Sequence, residues 1–337
     1  MSTPNQPDLA IEVRGLTKSY GDLSVLHGID LHVAKGEIVA FLGPNGAGKT
    51  TAIEILEGYR SRDSGEVRVL GQDPANAPLS WREDIGIVVQ ESEQTAELTA
   101  AESLAMHAGY YRNPRDPAAV LELVGLAGSA DQRTRKLSGG QKRRLDLGMA
   151  LVGNPELVFL DEPTTGFDPS ARRESWGLIE ALRDLGKTVL LTTHYMDEAE
   201  QLADRIVVIA NGRIVAGGTA AELAAQVDAR SRVSWRHRPD QPAPPADLGW
   251  SVLDANELAV LDIGPADGAG DAEVLQRLHR LLAWALDNGV DLPELEVKRP
   301  TLEDVYLELT DHGGVRGPGD PPAPSDRPAT DEKRTTA

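Results

Sequence analysis

The 337-residue chain carries 53 acidic against 34 basic residues, a formal net charge of -19, and it contains no cysteine. The acidic balance disfavours nucleic-acid binding, which draws on clustered Lys and Arg, and the lack of cysteine excludes disulfides and thiolate chemistry. The sequence shows neither a signal peptide nor an apolar run of about 18 residues, so any membrane role is expected to come through a partner.

Short apolar runs rich in Val and Ile alternate with amphipathic stretches over residues 1–218, a pattern typical of a largely parallel α/β sheet. The strand candidates are IVAFL (38–42), DIGIVV (84–89), ELVFL (156–160), TVLLTT (188–193) and RIVVIA (205–210). Between Gln90 and Glu156 this pattern stops, and helix-like stretches predict a helical insertion. We therefore expect an α/β domain over residues 9–218, with a helical subdomain at about 91–155.

A glycine-rich loop, GPNGAGKT, joins the first of these strands to the helix-like TAIEILEGY. Its glycines allow the backbone N–H groups and the helix N-terminus to converge closely on a phosphate. Lys49 would reach the β- and γ-phosphates, and the Thr50 hydroxyl would ligate Mg²⁺. An ordinary glycine-rich turn is the less favoured reading. The candidate ATP-binding residues are Gly43, Pro44, Asn45, Gly46, Ala47, Gly48, Lys49, Thr50 and Thr51.

A second glycine-rich helix start, LSGGQKRR, lies far downstream at 137–144. Ser138 is suited to cap the helix, while Gly139 and Gly140 would expose backbone N–H groups to an anion. Gln141 is expected to help orient a nucleotide. The motif lacks the Lys-Thr pair of the first loop, so it predicts half of a nucleotide site rather than a second independent one. The alternative is an ordinary capped helix start.

The run ELVFLDEP places two acids at the C-terminal end of a buried strand, where ligands bind in such sheets. Asp161 is the expected carboxylate behind Mg²⁺, and Glu162 is the candidate that polarises the attacking water. Other strand ends add His194, whose imidazole could sense the γ-phosphate, and Gln90, whose amide could touch Mg²⁺ or the water. Taken singly, each could be a solvated strand end or a core residue.

The composition changes after residue 218. Turn-rich segments such as QPAPPADLGW appear, and short strands around RVSWR and ELAVLDI accompany the helix-like EVLQRLHRLLAWAL. These features predict a small α+β accessory domain over residues 219–310. From residue 311 onward, DHGGVRGPGDPPAPSDRPATDEKRTTA has almost nothing apolar to bury, which predicts a disordered tail over 311–337.

The motifs and their order resemble those of ATP-binding cassette (ABC) ATPases, the nucleotide-binding subunits of ABC transporters, over residues 9 to about 218. The resemblance implies a P-loop NTPase core of the ABC ATPase type, with Tyr20 of LTKSYGD stacking on adenine and Gln90 in the Q-loop. VFLDEP matches Walker B, TTGFDP the D-loop and TTH the switch histidine. The signature residues are Leu137, Ser138, Gly139, Gly140 and Gln141.

One position departs from the family pattern, which usually has Leu where this chain has Phe167. The neighbouring Asp168, which the resemblance implies reaches across to the other subunit, is retained. The catalytic Glu162 and the signature glycines match as well. We therefore expect altered packing at Phe167 rather than lost activity.

The resemblance also implies a homodimer that sandwiches two ATP molecules with Mg²⁺, the signature of each subunit closing the site of the other. KRPTLEDVYLELTD at 298–311 is similar to the closing motif of export subunits of the daunorubicin-resistance group. This implies export of a small drug-like or lipid-like molecule through a separate integral-membrane permease, at the cytoplasmic face of the membrane. A non-transport ABC ATPase and an importer subunit stay open as alternatives, since importers share every motif up to residue 218.

Overall fold

The computed structural model describes residues 8–88, 97–226, 231–238, 241–253, 258–263, 271–298 and 302–311. The strands of the first part are Leu9–Tyr20 (β1), Leu23–Ala34 (β2), Ile38–Leu42 (β3), Ser64–Val69 (β4), Ile85–Val88 (β5), Leu157–Asp161 (β6), Thr188–Thr193 (β7), Arg205–Ala210 (β8) and Arg213–Gly218 (β9). Its helices are Lys49–Leu56 (α1), Ala100–Ala108 (α2), Pro117–Leu123 (α3), Gly139–Val152 (α4), Pro169–Asp184 (α5), Met196–Leu202 (α6) and Ala220–Gln226 (α7).

The central sheet has six strands in the order β5-β6-β7-β3-β8-β9, all parallel except β9. The five strands predicted from apolar runs form its parallel part. Along β3, Ile38, Ala40 and Leu42 belong to one hydrophobic cluster, and Val39 and Phe41 belong to another. Both faces are therefore covered, which is why these strands read as continuous apolar runs.

A separate three-stranded antiparallel sheet, in the order β2-β1-β4, was not part of the expected parallel architecture. Its strands bury alternate residues rather than whole runs, as a sheet does when only one face is covered. Ile11 of this sheet, Ile53 of α1 and Phe41 of the central sheet lie in one hydrophobic cluster. The helix that follows the glycine-rich loop is thus held between two sheets.

Helices α2, α3 and α4 form the predicted helical insertion between β5 and β6. Leu104, Val120 and Leu145, one from each helix, are fully buried in a shared cluster. Thr99 begins α2 with a capping box, in which its hydroxyl accepts from Glu102 N while the Glu102 carboxylate accepts from Thr99 N. Gln90, which precedes this insertion, lies outside the described residues.

The C-terminal part adds strands Ser231–Arg236 (β10), Ser251–Leu253 (β11), Leu258–Ile263 (β12) and Glu296–Lys298 (β13), and helices Asp271–Asn288 (α8) and Leu302–Asp311 (α9). The strands form an antiparallel sheet in the order β11-β12-β10-β13. Trp235, Leu261 and Leu281 share its own small core. In contrast, Leu223 of α7 and Leu302 of α9 are buried in a cluster of the first part. The domain boundary at residue 218 and the disordered tail over 311–337 stay predictions.

None of the helices in the described ranges is both long and apolar enough to cross a membrane.

Candidate functional site

The glycine-rich loop closes around the ammonium group of Lys49, the first residue of α1. Lys49 Nζ donates to the carbonyl oxygens of Gly43, at 2.8 Å, and Pro44, at 3.2 Å. Gly48 has φ +103°, and a Cβ added there would lie 2.7 Å from Leu26 Cδ2, so both conformation and space require glycine. The loop therefore surrounds a buried cation at a helix N-terminus, an arrangement suited to a phosphate.

Three predicted site residues from different elements meet beside this loop. Glu162 Oε1 lies 3.6 Å from Lys49 Nζ and 3.4 Å from the buried Nδ1 of His194. No described residue gives that His194 nitrogen a hydrogen bond. The Lys49 and Glu162 side chains are only 5% and 13% exposed. Burial lowers the pKa of Lys49, while the carboxylates of Glu162 and Asp161 oppose this shift.

The carboxylate of Asp161, at the end of β6, is held by Thr192 of the neighbouring strand β7. Thr192 Oγ1 donates to Asp161 Oδ1 at 2.5 Å and accepts from the backbone N–H of Glu162 at 3.0 Å. Asp161 and Thr192 are direct register partners in the parallel pair. Sequence reasoning did not single out Thr192, because its role depends on strand pairing.

The backbone of Glu162 is in the left-handed region, with φ +45°. Such a conformation is rare outside glycine and persists where the surrounding contacts hold it. The side chain also accepts a hydrogen bond from Thr165 Oγ1 at 3.0 Å. The carboxylate is consequently fixed at the C-terminal edge of the sheet, beside the phosphate loop.

The oxygen donors here suit Mg²⁺. The exposed Thr50 follows Lys49 at the start of α1, and Asp161 supplies a carboxylate at the end of β6. No group of three or more His, Asp or Glu residues within the described ranges could cage a metal. Mg²⁺ does not need such a cage, because it commonly takes one or two protein oxygens together with phosphates and water.

Tyr20, the predicted adenine platform, ends β1 with 40% of its surface exposed. The Arg60 guanidinium carbon lies 5.2 Å from the ring centroid, and Lys18 Nζ lies 5.5 Å from it. Arg60 is in turn paired with Glu54 of α1. The ring is therefore flanked by cations, and its stacking on adenine stays a prediction.

The downstream motif forms a capped helix start. Gln141 N donates to Ser138 Oγ at 3.2 Å, and Ser138 N donates to Gln141 Oε1 at 2.9 Å. Gln141 Nε2 donates to Ser129 Oγ, so this amide already has partners within its own subunit. A Cβ added at Gly139 or Gly140 would meet no heavy atom within 4 Å. The two glycines therefore leave open space beside the first turn of α4.

The two glycine-rich helix starts belong to helices on opposite faces of the central sheet. Leu145 of α4 lies in one hydrophobic cluster with Leu42, and Ile53 of α1 lies in the other with Phe41. The half-site predicted for α4 is thus presented by a different layer of the fold from the complete phosphate loop.

Next to the start of α4 lies the segment predicted as the D-loop. The two segments line an open pocket of about 380 Å³, to which α4 contributes Gly140 and Lys142 and the D-loop segment contributes Phe167. Phe167 is half-buried, and Asp168 accepts from the backbone N–H groups of Ser170 and Ala171, capping α5. Phe167 and the start of the signature helix therefore line the same pocket within one subunit.

A buried carboxylate connects three segments around the site. Glu198 of α6 is 1% exposed, and its Oε1 accepts from Thr164 Oγ1 at 2.8 Å and from Trp176 Nε1 at 3.2 Å. Burial raises the pKa of Glu198, opposed by hydrogen bonds from Thr193, Thr164 and Trp176. Sequence reasoning missed this residue, since an acid within an acidic helix gives no local sign of burial.

Glu57, at the end of α1, is a second buried acid, and it predicts an unusual pH dependence of stability. Burial, followed by the charges of Asp161 and Glu54, raises its pKa to about 8. A pKa raised on folding means that the folded state binds more protons, so stability falls as pH rises through the window between the two pKa values. Glu57→Gln should remove this loss, which amounts to at most about 4 kcal/mol between pH 5 and 8.

Urea unfolding of the wild-type protein and Glu57→Gln across this pH range, without nucleotide, measures the effect. Glu66→Gln is the matched control, because it makes the same change at an exposed acid of β4. Equal pH dependence in the wild type and Glu57→Gln would contradict the buried, protonated state of Glu57.

The profile of the family described as ABC transporter matches residues 26–165. The chain is 39% identical over 309 residues to Daunorubicin resistance ATP-binding protein DrrA3 of Streptomyces coeruleorubidus, spanning 90% of this chain and 96% of that protein. It is 37% identical over 325 residues to Daunorubicin/doxorubicin resistance ATP-binding protein DrrA of Streptomyces peucetius, a match that covers 91% of this chain and 94% of that protein. Nod factor export ATP-binding protein I of Rhizobium meliloti (strain 1021) is 45% identical over 219 residues, 63% of this chain and 65% of that protein.

Solved structures show the same architecture. An ATP-binding subunit of an ABC transporter is 28% identical with a TM-score of 0.58, and the match covers 64% of this chain and 92% of that chain. A dimeric ATP-binding cassette in a post-hydrolysis state, bound to ADP and Pi, is 26% identical with a TM-score of 0.56. The match covers 62% of this chain and 98% of that chain. Both solved proteins are thus matched over nearly their whole length.

Proposed function

This chain belongs to the ATP-binding proteins of ABC transporters, in the group that includes the daunorubicin-resistance proteins, and we propose that it hydrolyses ATP to power export of a small drug-like or lipid-like molecule through a separate membrane permease. The observation that carries the proposal is the meeting of Lys49, Glu162 and His194 beside the phosphate loop. A cation, a carboxylate and an imidazole from three elements are suited to binding and cleaving a triphosphate.

In the proposed reaction, Lys49 and the N–H groups of the loop hold the β- and γ-phosphates. The γ-phosphate competes with Glu162 for the Lys49 ammonium, which lies 3.6 Å from Glu162 Oε1. Bound ATP thereby frees the Glu162 carboxylate to orient a water and take its proton as the water attacks the γ-phosphorus and the bond to the bridging oxygen breaks. His194, 3.4 Å from the same Glu162 oxygen, holds that carboxylate and contacts the γ-phosphate.

Thr50 and Asp161 are the described residues that would hold Mg²⁺, with Gln90 a further proposed ligand. When bound, the ion would neutralise part of the negative charge of the phosphates. The 2.5 Å hydrogen bond from Thr192 keeps one Asp161 oxygen in a defined orientation. This hydrogen bond supports the proposal that Asp161 faces the ion.

We infer that the active unit is a dimer of two copies of this chain. The start of α4 in each copy, where Gly139 and Gly140 leave open space, would close the nucleotide held by the other. Only the triphosphate offers enough negative charge for both the loop and the opposing helix N-terminus, so ATP favours the closed dimer and hydrolysis favours opening. Support comes from the dimeric cassette with ADP and Pi that this chain resembles.

Export is supported by relatives that match almost the whole chain, both named as daunorubicin-resistance ATP-binding proteins. The protein would sit at the cytoplasmic face of the membrane, bound to its permease near the helical insertion. Opening and closing of the dimer would then move the permease. Selectivity for the exported molecule is expected to reside in that permease, since the site in this chain recognises nucleotide.

Lys49→Ala should abolish ATP hydrolysis, with a loss of about 100-fold or more, because it removes the buried cation that meets the phosphates. Phosphate release at saturating Mg²⁺ and ATP measures the rate, and thermal unfolding checks the fold. Lys35→Ala is the matched control, since it removes a surface lysine paired with Asp8. Retention of the wild-type rate in purified Lys49→Ala would exclude this loop as the hydrolytic site.

A further inference from the structure

The helix that begins at the signature motif also reaches the catalytic end of β6. Arg143 lies two residues after Gln141 in α4, and its guanidinium group contacts three successive backbone carbonyls. Nε donates to Pro163 O at 3.1 Å, and Nη2 donates to Asp161 O at 3.2 Å and to Glu162 O at 3.4 Å. The start of α4 is therefore directly connected to the backbone that carries the catalytic carboxylate.

The arginine fork is suited to this contact. A guanidinium is planar and presents several N–H groups in fixed directions, so one side chain can bind adjacent carbonyls together. Burial lowers the pKa of Arg143, and the carboxylates of Asp146, Asp161 and Glu198 oppose that shift. These three carboxylates thus favour the charged form of the half-buried guanidinium.

Glu162 is the residue in this stretch that most needs external support. Its backbone has φ +45°, and Thr192 of β7 accepts from its N–H. Arg143 donates to the carbonyl oxygen of Glu162, which lies on the C-terminal side of the same residue. The peptide groups before and after the catalytic side chain are thereby held by two different elements, β7 and α4.

We propose that Arg143 is a positioning residue that ties the signature helix to the backbone of Glu162 in the same subunit. ATP bound to the partner and seated on the start of α4 would then align the catalytic carboxylate of this subunit's own site. The inference rests on the proposed ATP sandwich. The capping box at Ser138 makes the first turn of α4 rigid, so a shift of this turn is transmitted to Arg143 and onward to Glu162.

Arg143→Gln tests this role in the full-length protein. The kcat for ATP hydrolysis should fall about 10- to 100-fold, as a small misplacement of a catalytic group does, while KM changes by no more than about twofold. The Hill coefficient for ATP is expected to be above 1 in the wild type and to fall toward 1 in Arg143→Gln, because occupation of one site no longer aligns the other. Arg143→Lys should recover part of the kcat.

The matched control is Arg144→Gln, which makes the same change one position along α4 in a side chain that pairs with Glu174. It should keep the wild-type kcat and Hill coefficient. A wild-type kcat in Arg143→Gln, an equal loss in Arg144→Gln, or a Hill coefficient of 1 in the wild type would overturn the proposal.

Dimer formation separates this inference from the proposed function. In a Glu162→Gln background, Arg143→Gln should still form the ATP-dependent dimer in light scattering. If Glu162→Gln alone stays monomeric with ATP, the sandwich is wrong. If Glu162→Gln dimerises and the added Arg143→Gln prevents it, Arg143 supports assembly rather than the carboxylate, and the positioning role is overturned.

Discussion

Glu162→Gln is expected to lower the rate of ATP hydrolysis by about 10²- to 10⁴-fold while ATP binding continues and a dimer accumulates. The amide has nearly the same shape as the carboxylate and can still accept the hydrogen bond from Thr165. It cannot take a proton from the attacking water. It also removes the negative charge 3.6 Å from Lys49, so the γ-phosphate gains that ammonium without competition.

Light scattering of the variant with ATP, with ADP and without nucleotide measures the dimer, and phosphate release measures the rate. Glu156→Gln is the matched control, because Glu156 lies just before the other end of β6 and its carboxylate is 3.9 Å from surface Lys35. The control should hydrolyse ATP as the wild type does and should not accumulate as a dimer. A Glu162→Gln protein that binds ATP and stays monomeric would remove the central step of the proposed mechanism.

Gly139→Asp is expected to abolish hydrolysis while each monomer still binds ATP. The new carboxylate would stand at the helix start that we propose faces the γ-phosphate of the partner's ATP, where like charges repel. The substitution should not unfold the protein. No heavy atom lies within 4 Å of a Cβ at this position, and an acid in the first turn of a helix is favoured by the helix dipole. Ser138→Arg should have the same effect by filling the approach to the signature.

Hydrolysis rate, nucleotide affinity and thermal stability are the three measurements for Gly139→Asp. Gly177→Asp is the control, since this glycine is exposed, has equally open space at its Cβ and lies within α5, away from a helix start. A variant that retains its fold and its ATP affinity but loses hydrolysis would support action across the dimer. Normal hydrolysis in Gly139→Asp would show that the signature does not face nucleotide.

Much of the central architecture could be predicted because the relevant signals are local. Runs such as IVAFL and TVLLTT are rich in apolar residues and buried throughout, since both faces of the parallel sheet are covered. The antiparallel sheet formed by β1, β2 and β4 was not predicted. Its strands alternate buried and exposed residues, so they lack the continuous apolar run that marked the central strands.

The candidate site likewise combines residues that could be predicted from the sequence with roles that stay predictions. Lys49, Glu162 and His194 could be named from short motifs at strand ends, and the parallel register then brings those ends to one edge of the sheet. Their roles in hydrolysis stay predictions, as do those of Tyr20 and Gln90.

The sequence by itself determined the P-loop, the paired acids at the end of β6 and the capped signature start, because each depends on residues adjacent in the chain. Tertiary structure alone decided the contacts of Thr192, Arg143, Glu57 and Glu198. Each of these side chains meets partners from another element, and burial, which sets the pKa of the two glutamates, arises only when the layers pack. Local patterns specify elements and their ends, whereas the distances and desolvation between elements exist only in the assembled fold.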